Sequence, residues 1–163
     1  MTQANAIPMA IRPAIEADSE ELLRLFQEND KHHARLLPGD IRNPRAARSR
    51  RQVQDWVGDR NGLLLVCERA GEIVACLHAS LVRASGSTNA KTHPVLRIHD
   101  LIVARRMRNS GIGSAIMSEA EEWARRRRAR SVQLEVLAHN HEAFSFCDEL
   151  GFETLSASLE KRI

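Results

Sequence analysis

The residues with most chemistry to offer lie between positions 95 and 124. The stretch V-L-R-I-H-D-L-I-V is followed by A-R-R-M and then by R-N-S-G-I-G, at Arg108, Asn109, Ser110, Gly111, Ile112 and Gly113. The first stretch reads as a strand, and the residues from Ile112 onward read as a helix, so both glycines fall at the junction. The first turn of a helix has N–H groups without partners and a partial positive charge, which suits an anion. Gly111 and Gly113 remove side chains that would keep a pyrophosphate away from the backbone, and Arg105, Arg106 and Arg108 add positive charge nearby. The chemistry implied is the holding of a phosphate-type ligand, with a plain turn as the alternative. The pattern is not a Walker A loop, because no G-K-[ST] follows, and it is not a full G-x-G-x-x-G dinucleotide fingerprint.

Other polar clusters carry less. His32-His33 and His139-x-His141 lack a third ligand at a sensible spacing, so no metal is expected. Arg125 to Arg128, with Arg130, can reach a ligand phosphate or a nucleic acid, or can form a solvated helix end where cations favour the dipole. The chain has 24 Lys plus Arg against 21 Asp plus Glu, a net charge of only +3, and 4% aromatic residues. Neither a gathered basic field nor a stacking platform is indicated, so no nucleic-acid partner is expected.

The elements that must position the junction follow from hydrophobic periodicity. Met9 to Pro13 reads as a first strand. Asp18 or Ser19 caps a helix with Glu20 and Glu21 in its first turn, closed by Pro38-Gly39. A second helix is expected from Arg45 to Val57, with Val53, Trp56 and Val57 on its buried side. Leu63 to Arg69 and Glu72 to Arg83 read as strands joined by a tight Ala70-Gly71 hairpin. Residues 84–94 form a polar loop, and residues 95–103 the next strand. Ile112, Ile116, Ala120, Trp123 and Ala124 mark an amphipathic helix. Ser131 to Leu137 alternates as a half-buried strand, Asn140 to Leu150 is a last helix, and Gly151-Phe152 opens an extended tail. The order β-α-α-β-β-β-α-β-α-β is that of a mixed α/β domain with one parallel crossover.

At 163 residues the chain suits one domain, 9–163, after a flexible stretch at 1–8. No apolar run approaches the ~18 residues that a membrane helix needs, and no secretory signal is visible, so no membrane association is expected. Cys67, Cys76 and Cys147 have no metal-binding spacing and read as reduced thiols, which points to the cytoplasm. The chain has no tyrosine.

Two ordered motifs resemble those of the GNAT N-acetyltransferases. The signature [QR]-x-x-G-x-[GA] after a D-L-x-V strand is matched by Arg108 to Gly113 after Asp100 to Val103. The signature N-x-x-A-x-x-F-Y-x-x-x-G-F is matched by Asn140, Ala143, Phe146, Gly151 and Phe152. The resemblance implies a mixed central sheet of six to seven strands flanked by about four helices, splayed into a V between the strands at 95–103 and 131–137. It also implies acetyl-coenzyme A as cosubstrate and a primary amine of a small molecule or peptide as acceptor, and it allows a homodimer.

The site residues carried over are the backbone amides of Arg108, Asn109, Ser110, Gly111, Ile112, Gly113 and Ser114 for the pyrophosphate. Leu101, Ile102 and Val103 would hold the pantetheine and acetyl groups, with the Val103 amide on the carbonyl, and Asn140 would contact the cofactor. His99 stands where the family often has a Glu base. By period 2 it is expected on the face of Leu101 and Val103, as a base, as a strand histidine satisfied by a neighbour or as a pocket wall; Asp100 is the other carrier, and water-relayed deprotonation with no dedicated base is a third route. Cys147 stands where the family commonly has an acidic Tyr, and is either the proton donor or a small apolar filler. That departure keeps open a second reading, a non-catalytic acyl-coenzyme A-binding or sensor domain. The acceptor pocket is expected from residues 28–60 and 84–94, where Asp30, His32, His33 and Asp40 can meet a cationic amine.

Overall fold

A computed structural model describes residues 8–36, 48–84, 92–159 and 161. The elements are β1 (Met9–Pro13), α1 (Ser19–Leu36), α2 (Arg50–Gly58), β2 (Gly62–Arg69), β3 (Glu72–Ala84), β4 (His93–Val103), α3 (Ile112–Arg126), β5 (Ser131–Gln133) and α4 (His141–Glu149). The strands form one sheet in the order β1-β2-β3-β4-β5. β1 to β4 run antiparallel, and β5 pairs parallel to β4 after the α3 crossover.

Both sheet faces are covered, which is why β2 is a continuous apolar run rather than an alternating one. Leu63, Leu65 and Cys67 pack with Leu77, Leu96, Ile112, Ile116, Met117 and Ala120 on the α3 side. Leu64 and Val66 pack with Cys76, Ile102, Leu22, Phe26 and Val53 on the α1/α2 side.

Local chemistry sets the ends of the elements. Ser49 caps α2 in a reciprocal box with Gln52. Ala70 and Gly71 both have positive φ (55° and 77°), as a two-residue hairpin between twisted strands requires. A single 3₁₀ turn at Glu16–Asp18 precedes α1. Asp18 accepts the Ile15 N–H at 2.8 Å and lies in a two-pronged pair with Arg12 of β1.

The expected six to seven strands become five among the described residues. The strand expected over 131–137 pairs only at Ser131, Val132 and Gln133, because β4 and β5 diverge beyond Arg97↔Gln133. Residues 152–159 run on with no strand assignment. Among the described residues, no helix is long and apolar enough to cross a membrane.

Candidate active site

Where β4 and β5 part, a cleft of about 770 Å³ opens. Ile98 to Val103 line one side of it and Leu134 to Leu137 the other. The 107–114 turn lies at one end and α4 residues, among them Phe146 and Cys147, close it. The splay expected between these strands is therefore a cavity lined by both. The Ala104 N–H donates to the Val74 carbonyl at 2.8 Å. Backbone N–H groups alternate along a pleated strand, so those of Val103 and Leu101 point away from β3, into the cleft.

The turn into α3 gathers unpartnered N–H groups at a helix start, an arrangement that suits an anion. Gly111 caps the helix at φ +80°, and Asn109 also takes a left-handed φ of 59°. The helical ladder begins at Ala115, whose N–H donates to the Gly111 carbonyl at 3.0 Å. The N–H groups of Ile112, Gly113 and Ser114 precede that ladder and are the unpartnered donors of a helix start. A Cβ on residue 113 would stand 3.2 Å from the Phe146 ring, so Gly113 lets α4 close against this turn. The Ser110 hydroxyl donates to the Met107 carbonyl and stiffens the turn. Arg108 reaches back to the Val103 carbonyl at 3.5 Å and across to Glu142 of α4 at 3.4 Å. Asn140 caps α4, its Oδ1 accepting the Ala143 N–H at 3.1 Å, which leaves its amide NH₂ for a ligand.

His99 does not share a face with Leu101 and Val103. The β3–β4 register runs His78↔Asp100 and then Ala79↔Ile98, so His99 is the extra residue of a β-bulge. Parity along β4 therefore breaks at that point. Leu101 and Val103 pack against the α3-side core. The His99 Nε2 instead lies 2.7 Å from Ser80 Oγ, and its ring is 4.9 Å from that of His78. Trp56 of α2 stacks on His78 at 4.0 Å, which places this group on the α1/α2 side. Asp100 is buried; its Oδ1 accepts from Arg48, and its Oδ2 lies 3.4 Å from His78 Nδ1. Arg48 also pairs with Asp30 of α1 at 2.8 Å and lies over the Phe26 ring at 4.5 Å. Burial, and next the nearby His78, push the His99 imidazole below its ordinary range, with Asp100 opposing and Arg97 adding to the fall.

Cys147 is buried in the wall of the cleft, and that burial raises its thiol pKa. Of the acceptor residues expected from sequence, Asp30 is engaged by Arg48. Asp40 and the side chains of His32 and His33 lie outside the described residues, as do 37–47 and 85–91 of the expected acceptor segments. The Arg run sits at the far end of the 15-residue α3, roughly 20 Å from Gly111 at 1.5 Å per residue. There Arg125 and Arg126 pair with Glu121 and Glu122, and Arg127 lies over Trp123 at 3.7 Å. Among the described residues, no group of three His, Cys, Asp or Glu is placed to hold a metal.

Sequence reasoning missed His78, Ser80, Arg48 and Glu142, while Trp56, expected on the buried side of its helix, packs against the core and also stacks on His78. Of these only Glu142 falls inside a motif, at one of its unspecified positions. His78 and Ser80 do alternate with apolar neighbours along β3, the one signal that could have marked them.

Three comparisons with known proteins bear on this site. Residues 20–152 match the acetyltransferase (GNAT) family. An uncharacterized N-acetyltransferase of Methanocaldococcus jannaschii is 34% identical over 95 residues, covering 58% of this chain. The chain spans 40% of the length of that relative. Among solved structures, a variant of the BH1408 protein from Bacillus halodurans superposes with a TM-score of 0.89 at 22% identity, over 94% of this chain and 99% of that one. An aminoglycoside N-acetyltransferase, AAC(6')-Iy, crystallised with coenzyme A, superposes with a TM-score of 0.75 at 16% identity, over 99% of both chains. At these identities the two structures speak to the fold.

Proposed function

Because the chain belongs to the GNAT acetyltransferase family, we propose that it moves an acetyl group from acetyl-coenzyme A to a primary amine by direct attack. The observation that carries the reading is the convergence, in one cleft, of the Leu101 and Val103 amides with the unpartnered N–H groups at the start of α3. The α3 donors and Arg108 suit a diphosphate. The β4 edge suits a chain of amides such as pantetheine. The Val103 N–H suits the thioester oxygen, where negative charge grows as the amine adds.

A free alkylammonium has a pKa near 10 and an imidazole one near 6.5, so full proton transfer before attack costs roughly 5 kcal/mol. Transfer concerted with C–N bond formation avoids most of that cost, because the attacking nitrogen becomes acidic as it bonds. His99 is the base in this reading. Its lowered pKa keeps it neutral near pH 7 and able to accept that proton. The C–S bond then breaks, and the thiolate leaves with one proton. The Cys147 thiol lines the cleft and holds its proton at neutral pH, so it can donate it or simply fill the wall. The acceptor is a small-molecule or peptide amine. The coenzyme A complex of a protein with this fold supports the donor, and the aminoglycoside acceptors of such proteins are the first amines to try. Three free thiols among the described residues support a reducing, cytoplasmic setting.

The test is calorimetric titration with acetyl-coenzyme A, followed by release of free thiol across a panel of amines. Micromolar binding with amine-dependent release is expected. His99→Gln should cut kcat by roughly 10²-fold, with loss of the acid limb of the rate profile. Binding without release for any amine would replace this reading with an acyl-coenzyme A-binding domain. No binding would end both.

A further inference from the structure

The polar groups on the α1/α2 face of the sheet form a continuous series from the buried interior to the exposed His99. Asp30 of α1 and Asp100 of β4 both accept from Arg48. Asp100 turns its second oxygen to His78 Nδ1 at 3.4 Å. A carboxylate can only accept, so the nitrogen facing it carries the proton, and His78 is held as the Nδ1–H tautomer. Trp56 lies nearly parallel to the His78 ring, 4.0 Å away at 23°, and closes its outer face. The other neighbour of that ring is His99, with centroids 4.9 Å apart, and His99 is itself anchored through Nε2 to Ser80 at 2.7 Å. The β-bulge at His99 is what brings the two imidazoles to one face, since without it His99 and Asp100 would point to opposite sides.

We propose that His78 is a positioning residue for His99: locked by Asp100 and Trp56, it packs beside the His99 ring and holds that imidazole oriented on Ser80. This rests on the reading of His99 as the base. No proton leaves the pair. His99 takes one proton from the attacking nitrogen, and His78 keeps its own on Nδ1.

The charged and titratable groups facing the pair are His78 of β3, Arg97 and Asp100 of β4, Arg48 ahead of α2 and Asp30 of α1. Partial desolvation of the His99 ring lowers its pKa most and the neighbouring His78 next, while Asp100 opposes and Arg97 adds to the fall. Removing His78 therefore moves His99 upward.

The experiment is a histidine NMR titration of the full chain, wild type against His78→Gln, paired with kcat/KM profiles. The glutamine amide keeps a hydrogen-bond donor near Asp100 while removing the ring that faces His99. The His99 midpoint and the acid limb of kcat/KM should both move to higher pH in the variant. At pH 6 kcat/KM should fall by about threefold more than above pH 8, where His99 is neutral in both proteins and only the loss of orientation is read. A loss of rate or stability with an unmoved His99 midpoint would make His78 merely structural and overturn the proposal. Should the variant fail to fold, the wild type decides by its ¹⁵N shifts. His78 as the Nδ1–H tautomer, with the His99 midpoint below the ordinary imidazole value, supports the proposal. His78 as the Nε2–H tautomer, or an unlowered His99 midpoint, overturns it. The titration is read on the protein alone, so a failed amine assay would end the transferase reading without touching this result.

Discussion

Phe146 of α4 lies against Gly113 of α3 so closely that a Cβ there would stand 3.2 Å from both Cε2 and Cζ of the ring. This contact joins the two family motifs physically, since the second glycine of one receives the aromatic residue of the other. Gly113→Ala must push the ring and α4 outward by a few tenths of an ångström. Overpacking of this kind costs about 1 to 2 kcal/mol. The expected result is a Tm lowered by several degrees and acetyl-coenzyme A binding weakened by about tenfold in calorimetry.

Gly111 is the control for that experiment, because nothing lies within 4 Å of a Cβ at this position. Its φ of +80° is the whole constraint. Gly111→Ala should cost about 1 kcal/mol of backbone strain, or roughly 2 to 4 °C in Tm for a chain of this size. Equal losses of affinity in the two variants would contradict the distinction between packing and strain.

Asp18 supplies a pH-dependent part of the stability. Its carboxylate accepts from Arg12 at 2.7 and 3.0 Å and from the Ile15 N–H at 2.8 Å. The Arg12 hydrogen bonds lower its pKa most, against burial, with the Ile15 amide adding to the fall. A carboxylate whose pKa is lower folded than unfolded stabilises the fold above its unfolded value, about 3.9. That contribution is lost as pH falls through the folded value. Asp18→Asn should therefore lower stability at pH 7 by about 2 kcal/mol in urea titrations. The gap to wild type should stay constant down to about pH 5 and close below pH 4. A gap that widens in acid would reverse the sign of the argument.

The features legible in the sequence are those whose cause is local. Gly71 of the hairpin, the Gly111 cap and the Asn140 cap each rest on a residue type that the backbone favours at that spot. The apolar stripe of α3 shows in Ile112, Ile116 and Ala120 because helical periodicity is a property of one segment. The features that escaped depend on pairing between segments. The early end of β5 is set by where β4 diverges from it. The bulge at His99 is a register event between β3 and β4, invisible to alternation along β4 alone. His78, Asp100 and Arg48 come from three separate stretches of chain and meet only after the sheet forms.

Cys147 occupies the motif position at which a tyrosine would present a hydroxyl. Here the side chain is buried and short, and burial raises its pKa, so it stays protonated through neutral pH. A buried, protonated thiol behaves first as a small apolar group. Cys147→Ala should hold kcat within about threefold and leave the alkaline limb of the pH–rate profile in place. Iodoacetamide should label the folded protein slowly, because the thiolate is the reactive form. A kcat loss of about 10²-fold with a displaced alkaline limb would instead make the thiol the proton donor.

Arg108 and Glu142 face each other across the mouth of the cleft, 3.4 Å apart, with Glu142 the more exposed partner. A diphosphate at the start of α3 competes for the same guanidinium and offers it more negative charge than one carboxylate. With the cosubstrate bound as proposed, it and the ion pair would be alternatives, and Glu142 would subtract from affinity by holding Arg108 and by repelling the phosphates. An exposed pair is worth at most about 1 kcal/mol, so the effect is limited to a few-fold. Glu142→Gln should tighten acetyl-coenzyme A binding by about two- to fivefold at low salt, and by less at 0.5 M salt, where screening removes the repulsion. Arg108→Gln should weaken binding by about tenfold, and its salt dependence should flatten. Calorimetry at two ionic strengths reads both. A weaker rather than tighter Glu142→Gln complex would mean that the carboxylate helps hold the loop in its binding shape.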